Sequence, residues 1–255
     1  MHIIVCIKSV IVRAPTRGIS RTPEACELNP FDRPVLEMAL NLKERWGGTI
    51  TALSMGPDAA EEVLHEALAM GVDRGILISD LAFAGSDTVA TSRVLSSAID
   101  KLRPFDIALF GATTADSDTG QVGPQTAMML DCPLVTFVRS IDDTKDGFRI
   151  SRSVDGFSEI FETRPPVLLT VHPASSYSRN IPLEALDRAF GVPVETWALE
   201  DVGLEHDEVG EIGSPTVLIS MNKVVKERHC ELVEGTVEEQ AAMLVTALMD
   251  KGSIE

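Results

Sequence analysis

Apolar and polar positions follow two alternating periods along the first 140 residues. Continuous apolar runs of strand length occupy residues 3–7, 49–55, 74–79, 105–110 and 134–138. Between them, apolar residues recur every three or four positions, which predicts helices. The first of these opens at Asn29, a predicted N-cap, and carries Val35, Leu36, Ala39, Leu40 and Leu42 on one face. The order of strand, helix and strand predicts an α/β fold with a parallel twisted sheet and flanking helices.

The pattern changes after Arg139. Residues 148–154 and 158–162 flank the turn Asp155-Gly156, and residues 166–171 are apolar again. This part of the chain predicts a β-hairpin added to the sheet, followed by a buried strand.

The last quarter of the chain predicts an extended C-terminal arm. Residues 195–211 contain seven carboxylates and no lysine or arginine, so we expect them to lack a core of their own. A short strand-like run follows at residues 217–220. Residues 236–251 then form an amphipathic pattern in which Thr236 and Glu239 have the spacing of a capping box. We expect a domain over residues 1–190 and an arm over residues 191–255 that is buried against another polypeptide.

Four loops are expected to meet at one edge of the sheet. Parallel sheets bind ligands beyond the carboxyl ends of their strands. Lys8, Met55-Gly56, residues 80–91 and residues 111–123 all follow predicted strands. The sequence therefore predicts a single crevice at this edge.

The stretch Gly111–Pro124 is the centre of this prediction. It is rich in glycine and small hydroxyl residues, and it joins a strand to a helix. Such a loop directs N–H groups and hydroxyls toward a phosphate or a ribose. It lacks the GxGxxG and GxxxxGK[ST] patterns, so a plain turn of Gly and Asp is the alternative. Near the next helix start, Ser86, Asp87, Thr88 and Thr91 either cap the helix or bind an anion.

Charge and composition narrow the classes of function. The 255-residue chain has a formal net charge of -17, which argues against nucleic acid and anionic membranes as partners. Its four cysteines form no CxxC pair, which argues against a disulfide framework or a zinc site. No apolar stretch reaches ~18 residues, so we expect a cytoplasmic protein without membrane insertion. The five histidines are scattered, and no catalytic or metal-binding arrangement is visible.

Several segments resemble the β subunit of electron-transfer flavoproteins. The nucleotide-binding loop of that family has a pattern close to G-[KR]-Q-x-x-D-x-D-x-x-Q-x-G. This sequence matches the pattern at Gly111, Asp116, Asp118, Gln121 and Gly123. Further matches, in the same order as in that family, are residues 5–8, 28–31, 67–75, 154–156, 166–171, 197–203 and 213–216. The similarity covers nearly the whole chain.

The resemblance implies a fold, a partner subunit and a role in electron transfer. The fold would be Rossmann-like, of the adenine-nucleotide-hydrolase-like type. The chain would form a heterodimer with an α subunit that carries a redox FAD, and its C-terminal arm would embrace that subunit. It would have no catalytic residue of its own, and it would receive electrons from an acyl-CoA dehydrogenase-like or NADH-linked donor. The alternative is a stand-alone nucleotide-binding enzyme or sensor of the related nucleotide-hydrolase-like fold.

The resemblance also implies which residues bind the nucleotide. Residues 80–91 and 118–124 are similar to the family members that hold a second FAD, so FAD is favoured and AMP is the alternative. The residues expected to bind it are Cys6, Lys8, Asn29, Asp32, Met55, Gly56, Asp87, Thr88, Thr91, Gly111, Ala112, Thr113, Thr114, Asp116, Asp118, Thr119, Gly120, Gln121, Val122 and Gly123.

Two departures from the family pattern affect function. Ala112 and Thr113 replace a basic residue and a glutamine, which puts flavin-based electron bifurcation in doubt. Leu183 lies at the position that recognises the dehydrogenase partner. Its neighbours Glu184 and Asp187 replace a lysine-rich run, so a different partner is expected.

Overall fold

The computed structural model describes residues 1–11, 26–217, 219–220, 230 and 232–253. The chain divides into two compact units, Met1–Val217 and Leu218–Glu255. The strands are β1 His2–Cys6, β2 Ser9–Ile11, β3 Cys26–Leu28, β4 Thr49–Met55, β5 Arg74–Ile78, β6 Ile107–Gly111, β7 Leu134–Thr144, β8 Gly147–Val154, β9 Phe157–Thr163, β10 Val167–Val171 and β11 Glu195–Trp197. The helices are α1 Arg33–Trp46, α2 Glu61–Met70, α3 Thr88–Lys101, α4 Val122–Met129, α5 Leu183–Ala189, α6 Leu199–Val202 and α7 Val237–Asp250.

Nine strands form one sheet in the order β11-β5-β4-β1-β6-β10-β7-β8-β9. The pairs from β11 through β7 are parallel, and β8 and β9 add an antiparallel hairpin at one edge. The predicted α/β class, parallel sheet and hairpin are therefore confirmed. β2 and β3 form a separate two-stranded sheet that the sequence pattern did not indicate.

The parallel strands β1, β4, β5, β6 and β10 are buried on both faces, which explains their largely apolar sequences. Successive side chains of a strand point to opposite faces. In β1, Ile3 and Val5 join a core covered by α1 and α2, whereas Ile4 and Cys6 join a second core covered by α3 and α4.

The start of α1 differs from the prediction. The N-cap position belongs to Asp32, so the prediction of Asn29 as N-cap is wrong. The chain first makes a turn in which the Asp32 N–H donates to the Asn29 carbonyl at 2.9 Å. The fully buried Asn29 side chain is thereby directed toward the loop that follows β6.

Residues 195–211 bury more than their acidic composition suggested. β11 pairs with β5, and Trp197, Val202 and Val209 are each at least 92% buried in the second core. The expectation that this stretch lacks burial within its own chain is therefore wrong. The acidic side chains lie on its outer side, while single apolar residues at wide spacing reach the core.

The second unit contains α7. Its capping box is confirmed, since the Thr236 hydroxyl accepts the Glu239 N–H and the Glu239 carboxylate accepts the Thr236 N–H. No α7 side chain is buried. Of the predicted strand at residues 217–220, Leu218 lies outside the described residues and the other three are not in a strand. Within the described ranges, no helix combines the length and apolar content needed to cross a membrane.

Candidate functional site

A cavity of about 1150 Å³ opens at the carboxyl ends of β1, β4, β5 and β6. All the residues that line it belong to the first unit. Ligand sites for drug-sized molecules usually measure about 300–1,000 Å³. This cavity is therefore large enough for an extended ligand.

The structure brings most of the predicted nucleotide-binding residues to this cavity. Those that line it are Cys6, Lys8, Asp32, Met55, Gly56, Asp87, Thr88, Thr91, Gly111, Ala112, Thr113, Thr114, Thr119, Gly120, Gln121, Val122 and Gly123. Asn29, Asp116 and Asp118 do not line it. Asp116 and Asp118 belong to the central loop, residues 111–123, and Asn29 contacts it. All three help to hold the shape of this loop.

Asn29 supports the central loop from within the fold. Its amide nitrogen donates to the Thr113 carbonyl at 3.1 Å, and its amide oxygen accepts the Ala115 N–H at 3.2 Å. Both donor and acceptor groups of one buried side chain are therefore used by the loop. Asn29 fixes the loop without facing the ligand space.

The two aspartates of the loop act in different ways. Asp116 forms an ion pair with Lys8, with 2.8 Å between the Lys8 Nζ and the Asp116 Oδ1. Burial by itself would raise the pKa of Asp116, but the hydrogen bond and charge of Lys8 lower it below its ordinary value. Asp118 has a φ of 50° and accepts the Thr113 hydroxyl, which closes the loop at a left-handed turn.

The N-terminus of α4 faces the cavity without a capping side chain. The first turn of a helix leaves backbone N–H groups unpaired, and these groups with the helix dipole attract anions. Gly123 lies in this turn, and a Cβ there would be 2.9 Å from the Thr170 side chain. Glycine therefore lets the turn pack closely on the end of β10 and present its backbone to the cavity.

The N-terminus of α3 is capped instead. The Asp87 Oδ1 accepts the N–H groups of Val89 at 2.9 Å and Ala90 at 3.0 Å. Capping, one of the two alternatives for this cluster, therefore accounts for Asp87. The Thr88 hydroxyl remains beside the cavity and donates to the Gln121 side chain at 3.1 Å, which joins the two loops.

Thr216 lines the cavity but was not among the residues predicted to bind the nucleotide. Its N–H donates to the Asp87 Oδ2 at 2.9 Å, while the Ser214 hydroxyl accepts the Asp87 N–H at 2.8 Å. Its position depends on contacts about 130 residues apart in the chain. Asp58 and Leu95 also line the cavity and were not predicted.

Negative charge exceeds positive charge around the cavity. Among the lining residues that the structure describes, Lys8 is the one cationic side chain, against carboxylates at Asp32, Asp58, Asp80 and Asp87. Backbone N–H bonds from Ala82 and Leu199 lower the pKa of Asp80. For Asp87, N–H bonds outweigh the effect of burial and lower the pKa as well.

The pKa of Asp32 is raised, in contrast to those of Asp80 and Asp87. Burial raises its pKa to about 7, although the Lys8 N–H, which donates to the Asp32 Oδ2 at 2.8 Å, acts in the other direction. Burial, and after it the charge of Asp32, also raises the pKa of the Cys6 thiol well above its ordinary value. The cavity thus has a carboxyl that takes up or loses a proton near neutral pH.

The fold and the site together define a class: a Rossmann-like α/β protein with a ligand cavity at the carboxyl edge of its parallel sheet. Comparison with known proteins makes this more specific. Residues 18–202 match the family described as the electron transfer flavoprotein domain. The chain therefore belongs to the electron transfer flavoprotein family.

Individual relatives match over nearly their full length. The electron transfer flavoprotein subunit beta of Thermoanaerobacterium thermosaccharolyticum is 37% identical over 97% of this chain and 98% of its own. The subunit of that name from Clostridium acetobutylicum is 37% identical over 98% and 99%. The protein FixA of Azotobacter vinelandii is 38% identical over 92% of this chain and 88% of its own. These relatives lend no support to the alternative of a stand-alone enzyme or sensor.

Proposed function

We propose that the chain is the β-type subunit of a heterodimeric electron-transfer flavoprotein and that it binds a nucleotide in the 1150 Å³ cavity. The observation that carries the proposal is the uncapped N-terminus of α4 at that cavity. The membership of the family supports the electron-transfer role.

We propose that α4 and the central loop hold the phosphates of the nucleotide. The N–H groups at the start of α4 and the hydroxyl of Thr119 suit phosphate or ribose oxygens. With a single cationic side chain among the described lining residues, backbone groups must supply most of the attraction. A flavin bound here would supply redox chemistry, while the residues of this chain bind and orient it.

FAD is proposed rather than AMP. The cavity extends from the central loop to residues 79–88, and its volume exceeds the usual range for small ligands. The Thr88 hydroxyl and the Gln121 amide bridge these two regions, where a diphosphate would fit. AMP would fill only one region. Ala112 and Thr113 provide no charged contact to the nucleotide, which argues against electron bifurcation.

We propose that exposed apolar side chains form the surfaces that contact the α subunit and the electron donor. In α7, the side chains of Val237, Leu244 and Val245 are exposed by 77%, 56% and 47%. Helices with an unburied apolar face usually bury it against another chain. We propose that residues 191–255 contribute an arm that clasps an α subunit. Leu183, which is 81% exposed at the start of α5, is proposed to contact an acyl-CoA dehydrogenase-like or NADH-linked donor.

The nucleotide can be identified directly. The chain is co-expressed with its α-type partner subunit, and the heterodimer is denatured and analysed by mass spectrometry. Two FAD molecules per heterodimer would support the proposal in full. One FAD and one AMP would contradict the choice of FAD, and a heterodimer without nucleotide in this chain would contradict the proposed function.

Substitutions in the central loop test the location of the site. We expect Thr119→Ala and Asp118→Ala to weaken nucleotide retention by about 1.5–3 kcal/mol, because a hydrogen bond to a charged group is lost or misplaced. Thr144→Ala, in the β7–β8 turn away from the cavity, is the matched control. The measurement is nucleotide content after dialysis. Full retention in both loop variants would place the nucleotide elsewhere.

A further inference from the structure

The buried carboxyl of Asp32 occupies a position that normal helix capping does not explain. It holds the N-cap position of α1, yet its side chain makes no capping hydrogen bond. Instead the Oδ2 accepts the Lys8 N–H at 2.8 Å. The Oδ1 lies 2.2 Å from the place where a Cβ on Gly111 would be. The carboxyl is therefore packed directly beneath the first residue of the central loop, and it lines the cavity.

The groups that face Asp32 leave its charge poorly balanced. Cys6 from β1 is neutral, and Asp116 of the central loop is acidic. Asn29 from the turn before α1 gives the carboxyl a hydrogen bond but no charge. Lys8 is the nearby cation, but its ammonium forms its ion pair with Asp116. The next residue, Arg33, pairs with Glu66 of α2. An ionised Asp32 would thus stand with no ion-pair partner among the described residues.

An anionic ligand adds to this imbalance. Phosphates at the start of α4 would enter a cavity whose described lining already has four carboxylates and one ammonium. Like charges in a poorly solvated site favour the protonated form of a carboxyl. A proton on Asp32 would remove one of these four negative charges.

We propose that nucleotide binding is coupled to a proton held by Asp32, so that the cavity binds its nucleotide more tightly when this carboxyl is protonated. The inference rests on the proposed nucleotide-binding function and assigns Asp32 a role in regulating it. The pKa of Asp32, raised by burial to about 7, places this coupling in the physiological range. As the pH rises through that value, the carboxylate ionises and repels the phosphates.

The experiment measures FAD binding to the nucleotide-stripped heterodimer by calorimetry between pH 6 and pH 9. FAD is the suitable probe because its pyrophosphate has no ionisation near neutral pH, whereas the phosphate monoester of AMP itself titrates near pH 6. We expect affinity to fall by up to about tenfold per pH unit above pH 7. We also expect the binding enthalpy to depend on the ionisation enthalpy of the buffer, as proton uptake requires.

Two variants test whether Asp32 holds the proton that is taken up when FAD binds. Asp32→Asn should remove both the pH dependence and the buffer dependence, while it keeps an oxygen acceptor for the Lys8 N–H. Asp142→Asn, which removes an exposed carboxylate of β7 that does not line the cavity, should keep both. Binding of FAD to the wild type with no proton uptake, or with uptake that persists in Asp32→Asn, would overturn this inference alone. Failure of the wild type to bind any nucleotide at any pH would overturn the proposed function as well.

Discussion

At the scale of single residues, the site depends on side chains that sit beneath it. Only glycine fits at position 111, where the central loop begins, because a Cβ on Gly111 would collide with Asp32. Asn29 holds the same loop with both its amide nitrogen and its amide oxygen, and its side chain also hydrogen-bonds Asp32. Neither role involves facing the ligand. Residues that line the cavity are therefore positioned by buried polar partners, in accord with the tendency of buried polar groups to be hydrogen-bonded.

Asp32 should make the stability of the first unit depend on pH. Its pKa rises from an ordinary 3.8 to about 7 on folding, so the folded state holds the proton more tightly. Its stabilising contribution is complete below pH 3.8 and is lost as the pH rises through about 7.

We therefore expect Asp32→Asn to raise the free energy of unfolding at pH 8 by about 1–3 kcal/mol and to change it little at pH 4. Urea unfolding at the two pH values measures this. An equal effect at both would show that Asp32 does not titrate between them. Asp80→Asn is the control, because the pKa of Asp80 is lowered and should not produce a gain at pH 8.

At the scale of elements, an ion pair ties the segment before α5 to α1. The guanidinium of Arg179 contacts both carboxylate oxygens of Glu37, at 2.9 and 3.0 Å, and Glu44 at 2.8 Å. Glu37 is only 7% exposed. Burial by itself would raise the pKa of Glu37, but the hydrogen bonds and charge of Arg179 lower it below its ordinary 4.5.

Arg179→Met should cost about 3 kcal/mol of unfolding free energy at pH 7, because it leaves the buried Glu37 carboxylate without a cation. The loss should shrink as the pH falls below 4.5, where the carboxyl in the unfolded chain becomes protonated. Chemical denaturation across this range is the measurement.

The matched control is Arg149→Met in the hairpin. Its partner Glu162 is 63% exposed in its side chain, so the cost should stay below about 1 kcal/mol. Equal losses for the two arginines would contradict the importance of burial at Glu37. Arg179 lies shortly before Leu183, the first residue of α5. The ion pair of Arg179 with Glu37 therefore also positions the proposed contact of Leu183 with the electron donor.

At the scale of the whole molecule, the second unit has little to bury by itself. Val237, Ala241, Leu244, Val245 and Leu248 share one side of α7, and no residue of α7 is buried. Substituting exposed residues usually changes stability by less than about 0.5 kcal/mol. Their cost should instead appear in association with another chain.

We expect Leu244→Lys with Val245→Lys to leave the melting temperature of the first unit unchanged and to abolish co-purification with the α subunit. Pull-down from co-expressing cells and calorimetry of the chain check the two outcomes. Thr246→Lys, on the opposite side of α7, is the charge control and should still co-purify. Retention of the α subunit by the double variant would show that α7 is not part of the interface.

The amino-acid sequence alone determined the class of fold and most of the site. Sheet strands buried on both faces appear as continuous apolar runs, and helices covered on one side show a period near 3.6, so local pattern was sufficient for both. The carboxyl ends of parallel strands share an edge, which brought the loops after β1, β4, β5 and β6 together without any knowledge of coordinates.

Only the tertiary structure decided which polar residues line the cavity and which support it. Asn29 was expected to cap α1 and to bind ligand, but its partners are in a loop more than 80 residues away. Thr216 and the raised pKa of Asp32 likewise depend on long-range packing. Hydrogen-bond partners and desolvation are set by groups distant in the chain, and a linear pattern does not contain those distances.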